Sequence, residues 1–210
     1  MGNMLATIQD IPAFDLTGGN ICLDFANTVD DRPDKPRDNL ISYRHLVAWG
    51  LQSHILTDEQ AEQLLVLAQR REGEASAVLE RAKELREVVF RIFAALAREA
   101  TPAQADVARL NQELARAMAY VRMEQDGQHF TWGWCADEVL LDRVLWPLVR
   151  EAADLLASDE WHMVRECAAD DCDWLFLDTS KNQTRRWCNM KSCGNRAKAR
   201  RYTSRKKRSE

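Results

Sequence analysis

Nothing in the 210 residues is long and apolar enough to span a bilayer, which takes roughly 18 apolar residues in a row; even Val88 to Ala97 is broken by Arg91. No membrane segment is expected. Met1 to Phe14 also lacks the basic start and continuous apolar run of a secretory leader, so the expected location is a reducing cytoplasm. Histidine is scarce: His45, His54, His129 and His162 are the four, and none stands in an H-E-x-x-H pair. No Ser or Cys lies in a nucleophile motif, and Gly18-Gly19 is followed by neither G-x-G-x-x-G nor G-K-[ST]. The expectation from these absences is that the chain is not an enzyme; an enzyme housed in a helical domain is the alternative from another class.

Acidic residues are missing from Thr179 to Ser209, where twelve Lys and Arg stand alone. Of the 29 basic residues, 17 remain in 1–178 against 32 of the 33 acids, so that part carries −15 and the last 32 residues +11. The net charge of −4 conceals an acidic body with an end suited to polyanions.

Six cysteines are too few for a disulfide scaffold of this length. Four of them have a pattern: Cys167 and Cys172 stand as C-x4-C, fifteen residues intervene, and Cys188 and Cys193 repeat C-x4-C. Paired thiolates on two loops can share one tetrahedral Zn²⁺, and two disulfides would need an oxidising compartment. One structural zinc is expected. Four Cys ligands close its coordination shell and leave no place for a catalytic water, while Arg185, Arg186, Lys191 and Arg196 are near enough in sequence to offset the thiolate charge. Cys22 and Cys135 sit apart in apolar surroundings and read as buried free thiols.

The first 160 residues read as mostly helical. Thr57-Asp58-Glu59-Gln60 is a capping box, starting a helix over about 58–71. Ala82, Leu85, Val88, Val89, Ile92, Phe93 and Leu96 repeat at helical spacing and mark a central core helix. Thr101 as N-cap, Pro102 at N1 and Gln104 at N3 predict another helix, buried through Val107, Leu110, Leu114 and Met118. Leu141 to Leu155 reads as a helix that Pro147 kinks or starts, and about 40–51 as one more. Between them, Asp126-Gly127 predicts a type I′ hairpin with Gln125 paired to Gln128, placing Met123 opposite Phe130 and Val121 opposite Trp132.

In the cysteine region, Trp174 to Leu177 reads as a strand and Ser180 to Asn182 as a turn. A helix is expected after Cys193, with Arg196, Arg200 and Lys207 on one side and Lys198, Arg201, Arg205 and Arg208 on the other. Such a surface, without counter-charges, suits nucleic-acid phosphate, with steep salt dependence from counterion release. Trp187 and Tyr202 would more readily pack the module than stack on bases. The acidic pair Asp170-Asp171 in the first knuckle is expected to face away from nucleic acid.

Cys193-Gly194-Asn195-Arg196, with Trp174 to Asn182 and Cys188 to Ser192 before it, resembles the CGNR zinc finger. The opening Leu16 to Val29 resembles the ABATE domain that accompanies this finger in bacterial proteins described as putative stress-induced transcription regulators. The resemblance implies a largely helical N-terminal domain, a zinc-bearing C-terminal module and nucleic-acid binding, with the four cysteines as metal ligands.

The expected fold is therefore mainly α with a small β-hairpin: a helical domain over 1–158, for sensing or dimerisation, and a zinc module over 159–210 made of a β-hairpin and a basic helix. Lys181, Arg185, Arg186, Lys191, Asn195, Arg196, Lys198, Arg200, Arg201 and Arg205 are the candidate nucleic-acid contacts, with DNA the expected partner, RNA the alternative, and a homodimer a further arrangement considered. Asp24, Asn27, Arg37, Trp132 and Trp134 are candidates for a small-molecule effector pocket.

Overall fold

In the computed structural model, which describes residues 4–32, 34–134 and 139–207, Asn20 stands in extended conformation and its side-chain oxygen accepts from the Cys22 amide. That cap starts α1 (Ile21–Ala26), where Cys22 to Ala26 are all buried. Two short antiparallel strands follow, β1 (Val29–Asp30) and β2 (Arg37–Asp38). Then come α2 (Tyr43–Gln52) and α3 (Asp58–Arg70), the latter with the expected reciprocal box between Thr57 and Gln60. Helix α4 (Glu72–Ala97) buries Ala82, Leu85, Val88, Val89, Ile92 and Phe93, and packs against α1, α2, α3, α5 and α6.

Helix α5 (Gln104–Met118) begins later than Thr101-Pro102 predicts, with Ala103 at its N-cap and no side-chain cap. Its first turn is fixed by Asp106, which accepts from Arg91 of α4 at 3.0 and 3.1 Å. The inward face also differs. Val107 and Met118 are exposed, while Leu110, Glu113 and Ala117 are buried. Apolarity alone cannot place a carboxylate inside; here Arg81, Arg109 and Arg116 converge on Glu113 at 3.0, 2.6 and 3.0 Å.

The hairpin of β3 (Val121–Asp126) and β4 (His129–Trp134) forms, with a register shifted by two residues from the expected one. Met123 faces Trp132, Val121 faces Trp134, and Gly127-Gln128 makes the turn. Only Gly127 has positive φ there, which suits a turn with glycine at its first central position rather than type I′. A two-residue shift keeps every side chain on its expected face. After a 3-10 turn at Leu141–Val144, α6 (Leu145–Ala157) carries Pro147 in its first turn, where a missing N–H costs nothing.

Strands β5 (Val164–Glu166) and β6 (Leu175–Leu177) pair antiparallel and flank the first cysteine pair. The strand at 175–177 was legible in the sequence, but its partner lies before Cys167 rather than between the two pairs. Alternation along β6 divides it between two cores: Leu175 and Leu177 join the large helical core, and Phe176 turns to Cys167, Cys188 and Cys193. Helix α7 (Asn195–Lys207) ends the described chain. None of the described helices is long and apolar enough to cross a membrane.

Glu113→Ala should cost about 2 kcal/mol in urea unfolding, less than the usual loss for a wholly buried pair, because Arg81 keeps Asp142 and Arg109 keeps Glu84. Glu113→Leu, which fills the space without a charge, should cost less than Glu113→Ala.

Candidate metal centre and nucleic-acid interface

Each cysteine loop is shaped by backbone hydrogen bonds before any metal is considered. The Cys167 amide donates to the Trp174 carbonyl at 2.9 Å, the Ala168 amide to Arg186 at 2.8 Å, and the Cys172 amide to Ala169 at 3.1 Å. In the second loop the Asn189 side chain accepts from the Lys191 amide at 2.9 Å, and its carbonyl accepts from Gly194 at 3.1 Å, forming a π-helical turn over Met190–Gly194. At Gly194 the exposed Met190 side chain lies where a Cβ would stand, so a larger residue there would have to push that flexible chain aside.

These loops bring all four Sγ atoms within 4.8 Å of one another, with Cys172 to Cys188 at 3.7 Å and Cys188 to Cys193 at 3.6 Å. Tetrahedral Zn²⁺ with Zn–S of about 2.3 Å sets its sulfurs about 3.8 Å apart, so the donor set fits zinc. It is a site for one structural ion, closed by four thiolates. Crowding makes the thiols unequal: hydrogen bonds from Cys172 and then Cys188 draw Cys167 far below the ordinary thiol value, whereas the neighbouring Cys167 first of all pushes Cys172 and Cys188 above it. A cation resolves that competition by replacing the shared protons.

Two predicted cations serve the centre. Arg196 donates to the Cys193 sulfur at 3.0 Å. Arg185 lies over the Phe176 ring at 4.3 Å and donates to the carbonyls of Trp187 at 3.0 Å, Thr17 at 3.0 Å and Cys188. It therefore braces the module from within instead of presenting its charge to a partner. Half-buried Trp187 packs on the cysteine cluster.

The finger is joined to the helical body by side chains as well as by the shared core. Asn27 uses both ends of its amide on Leu175, donating to its carbonyl at 2.8 Å and accepting from its amide at 2.9 Å. The Trp174 indole donates to Val29 at 2.9 Å, the Leu177 amide to Gly18 at 2.7 Å, and Arg98 holds Glu166 through two bonds of 2.7 Å.

On the basic surface, Lys181, Arg186, Lys191, Asn195, Arg196, Lys198, Arg200 and Arg201 are exposed. The helix is not without counter-charges, however. Arg200 pairs with Asp170 at 3.3 Å and Asp171 at 2.8 Å, and Arg196 approaches Asp171 at 3.5 Å. The acidic knuckle thus lies against the helix side that carries Arg196 and Arg200. Lys198 and Arg201 have no acidic partner among the described residues; the side chains of Tyr202 and Arg205, like Arg208 and Cys135, lie outside them.

Of the expected effector residues, Asn27 and Arg37 line one cavity of about 480 Å³ beside β1, β2 and Trp174. Asp24 lies away from its walls, accepting from the Gly18 amide at 2.7 Å, and burial pushes its carboxyl up to about 6. Trp132 lies exposed under Arg150, and Trp134 packs on Trp146, and neither lines the cavity. Phe14, Ile41 and Trp174 form walls that no motif marked in advance.

A helical body sharing its core with a four-cysteine finger and a cationic helix defines a zinc-finger protein. The chain belongs to the ABATE family, described as a putative stress-induced transcription regulator, which matches residues 19–159. Residues 163–206 match the CGNR zinc finger. No curated protein matches the chain.

Cys188→Ala should abolish stoichiometric zinc in elemental analysis and remove hydrogen-exchange protection at Ala168 and Gly194, while amides of Leu85 to Phe93 stay protected in the helical core. Asp24 supplies a pH signature. Its folded value lies above the unfolded one, so the penalty is full above pH 6 and is relieved as pH falls towards 4, worth up to about 3 kcal/mol. Asp24→Asn should gain stability relative to wild type as pH rises from 4 to 7, a trend that thermal melts across this range will show.

Proposed function

We propose that the chain is a DNA-binding transcription regulator of the reducing cytoplasm, whose zinc centre holds α7 in place for contact with phosphates. The observation that carries this reading is the unpaired side of the zinc-organised end: Lys198 and Arg201, with Lys181 and Lys191 nearby in the chain, are exposed and without acidic partners among the described residues. The same end carries +11 on a body of −15. Lys198, Arg201 and Arg205 follow at i, i+3 and i+7, so they share a helix face that can track a phosphate backbone. Arg196 and Arg200 have a different task in this reading: they dock α7 on the first knuckle. RNA is the rival partner, since a cationic surface alone does not distinguish the two phosphate backbones.

The test is affinity for duplex DNA, single-stranded DNA and RNA across salt. Lys198→Ala, Arg201→Ala and Arg205→Ala together should weaken duplex binding about a hundredfold and lower the slope of log affinity against log salt by about 3. Chelation should abolish binding, and Arg200→Ala alone should change the slope little. Affinity indifferent to chelation and to the triple change would overturn the reading, and tighter RNA binding would transfer it to RNA.

A further inference from the structure

The cavity at the seam between helical body and finger has a built shape. Ile11, Phe14, Ile41 and Trp174 give it apolar walls, and Asp15 and Asp30 stand at its polar side. Both aromatic walls are anchored. Gln52 clamps Phe14 by accepting from its amide at 2.8 Å and donating to its carbonyl at 2.6 Å, and Trp174 is fixed through its indole N–H on Val29 at 2.9 Å. A volume of about 480 Å³ is within the range of small-molecule sites.

Charge decides what kind of molecule suits it. Asp15 is exposed and has no cationic partner among the described residues. Asp30 accepts from Arg37 at 2.8 Å and from Asn39 at 3.2 Å, but the Arg37 side chain is 76% exposed. An ion pair that open is worth at most about 1 kcal/mol, so a competing cation can displace it. Asp38, also in the wall, is committed to Arg86 at 2.7 and 3.0 Å. Burial, and then the nearby Arg44, lower His45 from its ordinary value, so it adds no positive charge at neutral pH. Two carboxylates and a single exchangeable guanidinium at the polar side, beside two anchored aromatic residues, favour a cation.

We infer that this cavity binds a small organic cation with an aromatic or branched apolar body, its ammonium replacing Arg37 on Asp30 and its body covering Ile41 between Phe14 and Trp174. Trp174, Asp30 and Arg37 also line the adjoining cavity that reaches Cys172, Cys188 and Arg196, so the seat adjoins the zinc knuckle. This inference goes beyond nucleic-acid binding and does not depend on it.

The test is calorimetric titration of the zinc-loaded full chain with phenethylammonium, phenylacetate and 2-phenylethanol, without nucleic acid, so that its outcome is independent of the DNA reading. The ammonium should bind at least about tenfold more tightly than the other two. Asp30→Asn and Ile41→Arg should each reduce that affinity about tenfold at unchanged melting temperature. Arg37→Ala should strengthen it severalfold, because the competitor for Asp30 is gone; a residue that only supports the fold would not give this sign. Equal or tighter binding of phenylacetate or 2-phenylethanol, weaker ammonium binding in Arg37→Ala, or no ammonium binding at millimolar concentration would each overturn the assignment.

Discussion

Three residues of β6 carry the constraint on which the rest of the molecule turns. Leu175 and Leu177 are buried in the helical core, and Phe176, on the opposite face, is buried against the cysteines. Asn27 holds Leu175 at both its backbone groups, and Gly18 accepts from Leu177. Since strand side chains alternate in direction, the position of the zinc loops cannot change without disturbing Leu175 and Leu177 in the larger core. A finger that would be a free module on its own energetics, where zinc supplies roughly 10 to 16 kcal/mol in isolated peptides, is here an outgrowth of the helical domain. The metal holds the loops and α7; the helical body holds the strand pair from which they spring.

Charge separation along the chain acquires a meaning from the same geometry. A body of −15 and an end of +11 would be expected to collapse on each other through surface pairs. Instead the contacts are selective: Asp170 and Asp171, at the tip of the first knuckle, take Arg200 and Arg196, and Arg185 is spent on carbonyls and the Phe176 ring. What these contacts leave over is one side of α7, with Lys181 and Lys191 in the loops before it. Of the cations near the metal, Arg185 and Arg196 are used for architecture, whereas Lys191 in the second knuckle and Lys198 and Arg201 on the helix have no acidic partner among the described residues.

The metal centre was legible because two C-x4-C pairs specify ligand number and loop length at once, and the central helix because seven apolar positions share one face. The same reasoning misplaced the inward face of α5. Glu113 is buried by three arginines, two of them from α5 itself, and a carboxylate's burial is a property of partners that apolar periodicity does not see. The hairpin turn moved by one residue, and the pairing with it by two, because Asp-Gly and Gly-Gln loops both satisfy the alternation, and alternation alone does not separate them. Arg185 and Arg200 were indistinguishable in sequence from Lys198 and Arg201, since a run of like charges does not say which members meet carbonyls or aspartates. The strand before Cys167 is three residues long, Val164-Arg165-Glu166, too short to show a period. Of the residues expected at an effector pocket, Asn27 and Arg37 line the cavity, whose aromatic walls come from positions 14 and 174, which only folding brings together.

Asn27 shows how far the body and the finger are interdependent. It caps α1 at its C-terminal end, lines the cavity with Trp174, and fixes the backbone of Leu175. Nothing about an asparagine after a short apolar stretch distinguishes these duties from ordinary capping. Both its amide groups are committed to a strand 148 residues away, so one residue carries three structural roles. A shift of β6 would break two buried hydrogen bonds together, and each orphaned amide group would then cost about 1 to 3 kcal/mol. That coupled cost, more than the charge of the surface, ties the cavity wall, the strand and the zinc loops to one another.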